Sequence, residues 1–173
     1  MGRTLRADVG GRFGVGRIGL YQGTDAVDAV DLELRKLTYA MVVELGRVPV
    51  LAEVAAATGW DPEDVVAGWR RLHDQHAVVL DPVTAEIRMA NPFSAIPTAY
   101  RVHAAGRWWY ANCAWDAFGI SAALHVDGDI ETSCPDRGEP ISIAVRDGLP
   151  DDDSLLFHCL VPAARWWDDI VFT

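Results

Sequence analysis

The stretch "NCAWD" (residues 112–116) sets a cysteine, Cys113, three positions before an aspartate, Asp116, inside the longer run "GRWWYANCAWDAFGI". On a helix, residues three apart share a face, so thiol and carboxyl come within reach of each other. A thiol at a helix start also feels the positive end of the dipole, which lowers its pKa. A neighbouring carboxylate acts the other way, and an apolar surrounding holds that carboxyl protonated. Trp108, Trp109 and Trp115 are expected to supply the apolar surrounding. A soft nucleophile beside an acid in such a pocket suits a two-step chemistry, in which a soft electrophile is taken up and a proton is then handed over. The same spacing also fits a buried, inert cysteine, because free cysteine is among the most buried residue types.

The elements around this pair follow from the apolar pattern. Val30, Leu34, Leu37, Met41 and Leu45 recur every three or four residues and predict a helix face. Thr24 can cap its start, Asp25 and Asp28 suit the positive end of its dipole, and Gly46 can stop it, with Pro49 beyond. "VLAEVAAATG" (50–59) reads as a second short helix. Asp61-Pro62 reads as N-cap and first turn of a third, with Val65, Trp69 and Leu72 as its stripe. "AVVLDPVTAEIRMA" (77–90) predicts two strands around a turn at Asp81-Pro82. Three helices and a hairpin make a winged-helix-like unit.

Four segments result: a Gly- and Arg-rich arm over 1–22, the helical lobe over 23–90, a Pro-rich linker over 91–99, and a second unit over 100–173. In that unit "YRVHAAGRWWYA" predicts a hairpin turning at Gly106, and "CAWDAFGI" one or two helical turns. "IETSC", "ISIAVRD" and "SLLFHCLVP" predict strands, the last stopped by Pro162. The fold class expected is therefore α+β, with a mixed, mainly antiparallel sheet and short helices.

Composition narrows the function classes. The chain has 173 residues and a formal net charge of −10, which disfavours nucleic acid or an anionic membrane as partner. No apolar run reaches the roughly 18 residues of a membrane span, and the N-terminus lacks the apolar core of a secretory signal. Cys113, Cys134 and Cys159 are too few and too dispersed for a disulfide framework, so a cytoplasmic location is expected.

Taken together, "NPFSAIPTAYRVHAAGRWWYANCAWDAFGISAALHVDGDIETSCPDRGEPISIAVRDG" resembles the core of alkylmercury lyases, the organomercurial lyases, and the likeness extends over roughly residues 24–173. The Pro-containing "IPTAY", the "CAWDA" stretch and the Ser-Cys-Pro strand end at Cys134 carry it. The resemblance implies protonolysis of a carbon–mercury bond, with Cys113 binding mercury and Asp116 mediating proton delivery. It implies a structural role for Cys134, no resident cofactor, and external thiols to remove the Hg(II) product. The substrate class is a small organomercurial; another soft ligand, such as copper(I), or a small organic molecule at Cys113 is the alternative. The family also uses a second mercury-binding cysteine, expected by spacing at or just past Thr173. Either a longer parent protein carries it or it is absent, and turnover is then expected to be reduced. Cys159 precedes the family's position and reads as a core residue of its strand, with a substitute ligand role as the alternative.

Other constellations carry less. Gly14-x-Gly16-x-x-Gly19 has the letters of a dinucleotide fingerprint but no strand before it. His73 and His76 lack a third ligand at zinc spacing and read as a solvent-facing pair. Asp151-Asp152-Asp153 reads as a solvated loop. Trp166-Trp167 is expected either to close the pocket or to pack under the C-terminal strand. A DNA-binding role for the winged-helix-like lobe meets carboxylates at the start of the would-be recognition helix, "DPEDVV".

Overall fold

The computed structural model describes residues 28–152, 154–156 and 161–171. Asp28 caps the first helix, α1 (Ala29–Leu45), its carboxylate accepting the Val30 N–H at 3.1 Å. Thr24 and Asp25, expected at this start, lie outside the described residues, as does the Gly-rich arm. Gly46 ends the helix in the left-handed region (φ 73°), where glycine carries no Cβ penalty. α2 (Leu51–Thr58) ends at Gly59, and α3 (Pro62–Asp74) starts from Asp61 with proline in its first turn.

The face that α1 buries differs from the expected one. Asp31, Leu34, Thr38 and Val42 are buried, whereas Leu45 is exposed and Leu37 and Met41 are half-buried. Two polar residues on the buried stripe hid it from an apolar pattern, and both are satisfied. Arg71 on α3 grips Asp31 in a two-pronged pair at 2.6 and 2.8 Å. Thr38 Oγ1 donates to the Leu34 carbonyl at 2.8 Å, and Trp69 Nε1 reaches Thr38 Oγ1 at 3.4 Å. Gly68 lets α1 and α3 approach closely: a Cβ there would stand 2.5 Å from Leu34 Cδ2.

The Asp31–Arg71 pair should matter to stability, because Asp31 is only 1% exposed. Arg71→Ala leaves its charge uncompensated and is expected to cost about 2–3 kcal/mol, towards the range for broken buried pairs. Lys36→Ala, which breaks a solvated pair with Glu33, should cost less than about 1 kcal/mol. Urea unfolding of the two variants compares them directly.

Two antiparallel sheets follow the helices. The first has the order β1 (Val79–Leu80), β2 (Ile87–Ala90), β3 (Phe93–Ser94). Its hairpin turns at Asp81, as expected. Its third strand, however, comes from the segment read as linker: Met89 pairs with Ser94 and Ala90 with Phe93. Phe93 is buried, and it bridges to Ala111. The second sheet has the order β5 (Arg107–Tyr110), β4 (Arg101–Ala104), β6 (Gly128–Ser133), β7 (Pro140–Arg146), β8 (Leu149–Pro150). All pairings among the described residues are antiparallel. The β4–β5 hairpin turns through Ala105 and Gly106, both at positive φ. β8 occupies the edge beside β7. The strand expected over 154–162 does not form in its described residues; Pro162 instead precedes a short 3₁₀ helix, Ala163–Asp168.

The helix α4 (Ala114–Leu124) lies against β4 and β6 and runs three turns, longer than the one or two expected. One hydrophobic core runs from Leu34 and Trp69 through Phe93 and Trp109 to Ile120, Ile130 and Val145. Arg107 at the hairpin tip also donates to the Glu44 carbonyl at 2.8 Å, tying the second sheet to the end of α1. No helix among the described residues is long and apolar enough to cross a membrane.

Candidate functional site

β5 delivers the chain to Ala111, and Thr98 fixes that exit. Its hydroxyl donates to the Ala111 carbonyl at 2.6 Å, while Ala111 N–H donates to Tyr100 O at 3.0 Å. This is the structural work of the "IPTAY" segment: it holds the loop from which Asn112 and Cys113 emerge. Cys113 is the N-cap of α4, in extended backbone, and Asp116 lies in the first turn. The thiol and the carboxyl lie near enough for each to influence the other's proton affinity.

Asn112 completes the constellation. Its Nδ2 donates to Asp116 Oδ2 at 3.0 Å and to Asn91 Oδ1 at 3.1 Å. Asn91 in turn accepts the Tyr39 hydroxyl on its carbonyl at 2.9 Å, which brings α1 to the site. Arg35 sits over the Tyr39 ring, 5.7 Å from its centre. The site is thus assembled from α1, the β2–β3 turn and the start of α4.

Burial dominates its electrostatics. The Cys113 thiol is pushed above its ordinary range, chiefly by desolvation and further by the Asp116 charge; the N–H groups of Asp116 and Trp115 pull it partly back. Asp116 is raised for the same leading reason, with hydrogen bonds from Asn112 and Cys113 opposing. Tyr100 is raised by burial and by Cys113; Tyr39 is raised by burial, Arg35 opposes, and Asp116 adds. The resting pair is therefore a neutral thiol against a carboxylate whose proton affinity is enhanced. Alkylation of Cys113 by iodoacetamide should then keep accelerating as pH rises past the point where an ordinary thiol levels off. A rate profile that levels off at or below that of a free cysteine would contradict this environment.

The tryptophans are placed otherwise than expected. Trp109 is buried, but against Phe93 (ring centres 5.0 Å apart), with its Nε1 donating to Ala104 O. Trp108 is 45% exposed on the opposite face of the sheet, where Arg101 stacks on it at 4.3 Å. Trp115 is 61% exposed on the outside of α4. Alternation along β5 separates the first two, and Trp115 falls one position off the face that carries Asp116. The polar and aromatic neighbours Asn112, Asn91, Tyr39 and Tyr100 surround the pair instead. Of these Asn112, adjacent to Cys113, and Tyr100, at the end of "IPTAY", had a signal in sequence.

Cys134 ends β6 on a turn, its N–H donating to Glu139 O and its carbonyl accepting from Gly138. Cys159 and Asp153 lie outside the described residues. His73 is not solvent-facing as expected: it is half-buried, with Nδ1 3.1 Å from Val78 O. His76 stacks on Trp167 with ring centres 4.0 Å apart and planes 9° apart. Trp167 therefore packs on the end of α3. Trp166 donates to Val161 O at 2.8 Å. Among the described residues no group of three or more His, Cys, Asp or Glu is arranged to hold a metal ion.

A helical lobe and two antiparallel sheets with a short helix between their strands define the class: an α+β protein, here with a thiol and a carboxyl side by side at a helix start. The family model of alkylmercury lyases matches residues 93–173, a little under half of the chain. A crystal structure of the mercury-bound form of MerB2 is similar at 27% identity and a TM-score of 0.55, over 69% of this chain. This chain covers 59% of that one. No curated protein sequence matches the chain.

Proposed function

We propose that the chain captures organomercurials at Cys113 and cleaves their carbon–mercury bond with a proton carried by Asp116. The observation that supports this is the pair at the start of α4: a half-buried thiol at the N-cap beside a carboxylate of raised proton affinity in the first turn. Mercury(II) is soft and prefers sulfur. When the Cys113 sulfur bonds to mercury, the thiol proton leaves and Asp116 is the base positioned to take it. The same carboxylic acid then gives that proton to the mercury-bound carbon as general acid. The carbon–mercury bond breaks, a hydrocarbon departs, and Hg(II) stays on the thiolate. Burial favours both halves, because it makes Asp116 a better base for the thiol and keeps it protonated until the carbon accepts.

A second thiolate would raise electron density on the carbon. Among the described residues the other cysteine is Cys134, on its turn at the end of β6. An external thiol is the ligand we assign to that role, and it would also remove the product, so turnover should depend on thiol concentration. A cytoplasmic, thiol-rich setting fits this need.

The winged-helix alternative gains nothing from the fold. Arg71, one of two arginines available to offset the acidic start of α3, is committed to Asp31.

The test is incubation with phenylmercury and excess thiol, following benzene. Slow, thiol-dependent release is the expected result, since an external thiol substitutes only poorly for a second cysteine held in the site. Stoichiometric mercury binding without benzene would sink the lyase reading and leave a soft-metal binding protein.

A further inference from the structure

Arg35 is a charged side chain that α1 brings to the thiol site and that the proton transfer leaves unused. Its guanidinium stands 5.7 Å from the centre of the Tyr39 ring, one helical turn on. The Tyr39 hydroxyl donates to the Asn91 carbonyl at 2.9 Å, and Asn91 Oδ1 accepts from the same Asn112 amide that holds Asp116. That hydroxyl feels the charges of both Arg35 and Asp116, that of Arg35 the more strongly. Arg35 is exposed and Asp116 half-buried. The guanidinium therefore occupies the solvent side of the hydrogen-bonded frame, and the reacting pair its inner side.

This cation has no ion pair among the described residues. The acids nearest it along α1 are committed elsewhere, Asp31 to Arg71 and Glu33 to Lys36. The chain as a whole carries a net charge of −10, so its overall field opposes an anion. Any preference for an anion at the thiol site has to come from a local cation, and Arg35 is placed to supply it.

We propose that Arg35 selects mercury compounds that carry a carboxylate, on the organic group or on the thiol that accompanies the metal; the inference rests on mercury capture at Cys113. With mercury on the Cys113 sulfur, a para-carboxylate stands one benzene ring beyond the metal. The planar guanidinium fork matches its two oxygens. Because Arg35 is exposed, the gain is modest and sensitive to salt. Arg35 does not touch the reacting atoms; it sets which compound is preferred and leaves the bond cleavage to Cys113 and Asp116.

The test offers the full chain phenylmercury and 4-mercuribenzoate together, both in excess and without thiol. Adducts retained on the chain are counted by intact mass, and released benzene and benzoate are added to them. The preference is then read whether or not the carbon–mercury bond is cleaved. Only the uptake that Cys113→Ser loses is counted. The carboxylate compound should be favoured about three- to fivefold at low salt, the reach of an exposed ion pair. The ratio should fall towards one in Arg35→Gln, persist in Arg35→Lys, and shrink in the parent at about 0.5 M salt. A second arm makes the same count for phenylmercury in mercaptoacetate against 2-mercaptoethanol, again as a ratio in parent and Arg35→Gln. An effect of the substitution confined to the first arm places the carboxylate on the organic group; one confined to the second places it on the thiol. Equal ratios in parent and Arg35→Gln in both arms would overturn the proposal and leave capture at Cys113 standing. Failure of Cys113 to take up either compound would overturn the proposal and the lyase reading together.

Discussion

Cys113→Ser should lose both capture of phenylmercury and release of benzene, the latter on the order of a thousandfold or more, as when a covalent nucleophile is removed. A serine hydroxyl is a hard donor that mercury(II) does not favour. It also holds its proton far more tightly than a thiol, and Asp116 beside it disfavours the anion further. The variant should fold, because Cys113 contributes its carbonyl to the first α4 hydrogen bond, with Ala117 N–H at 3.0 Å, and serine is a good N-cap. Mercury bound per chain, measured after gel filtration with unchanged circular dichroism, separates loss of the ligand from loss of the fold. Cys134→Ser is the comparison. Its turn geometry is held by backbone bonds, so capture should survive there. If Cys134→Ser lost capture and Cys113→Ser kept it, the site would be misassigned.

Much of the scaffold around this cysteine was readable because its determinants are local. Asp61-Pro62, Gly46 and Gly59 mark helix ends through side-chain and backbone preferences of a few neighbouring residues. The β4–β5 hairpin needed only the Gly106 turn and its flanking strands. The α3 stripe of Val65, Trp69 and Leu72 is buried as read. The α1 stripe was not readable by apolar pattern, because Asp31 and Thr38 are buried through partners 40 and 31 positions away. The strand at Phe93 was hidden for a similar reason: prolines at 92 and 97 mark a linker locally, while Ala90 and Ala111 supply the pairing.

The site divides in the same way. Cys113 and Asp116 were legible since one helical turn joins them. Asn91 and Tyr39 were not, since their bonds to the site span 21 and 52 positions. The pocket of tryptophans failed on a rule that was available. Adjacent residues on a strand point to opposite faces, so Trp108 and Trp109 could not line one cavity together. What surrounds the thiol instead is a hydrogen-bonded frame, Asn112 to Asn91 to Tyr39, which fixes the carboxylate more firmly than an apolar wall would.

That frame leads to a prediction in which two readouts move in opposite directions. Asp116→Asn keeps the size of the side chain and an oxygen for the Asn112 amide, so the frame should persist. It removes the charge that raises the Cys113 thiol. The thiolate fraction at neutral pH should therefore rise, and alkylation by iodoacetamide should run severalfold faster than in the parent. The sign follows directly: lowering a raised thiol pKa shifts the alkylation profile towards lower pH. Cleavage should do the reverse. An amide cannot take the thiol proton or return it to carbon, so benzene release should fall by about a hundred- to ten-thousandfold, the usual worth of a positioned proton donor. Mercury capture should remain stoichiometric, and the bound species should still carry its phenyl group. If alkylation slowed together with cleavage, Asp116 would be holding the thiol in place rather than moving its proton. Cleavage that survived the substitution would assign the proton to another donor, with the Tyr100 hydroxyl beside Cys113 the first candidate.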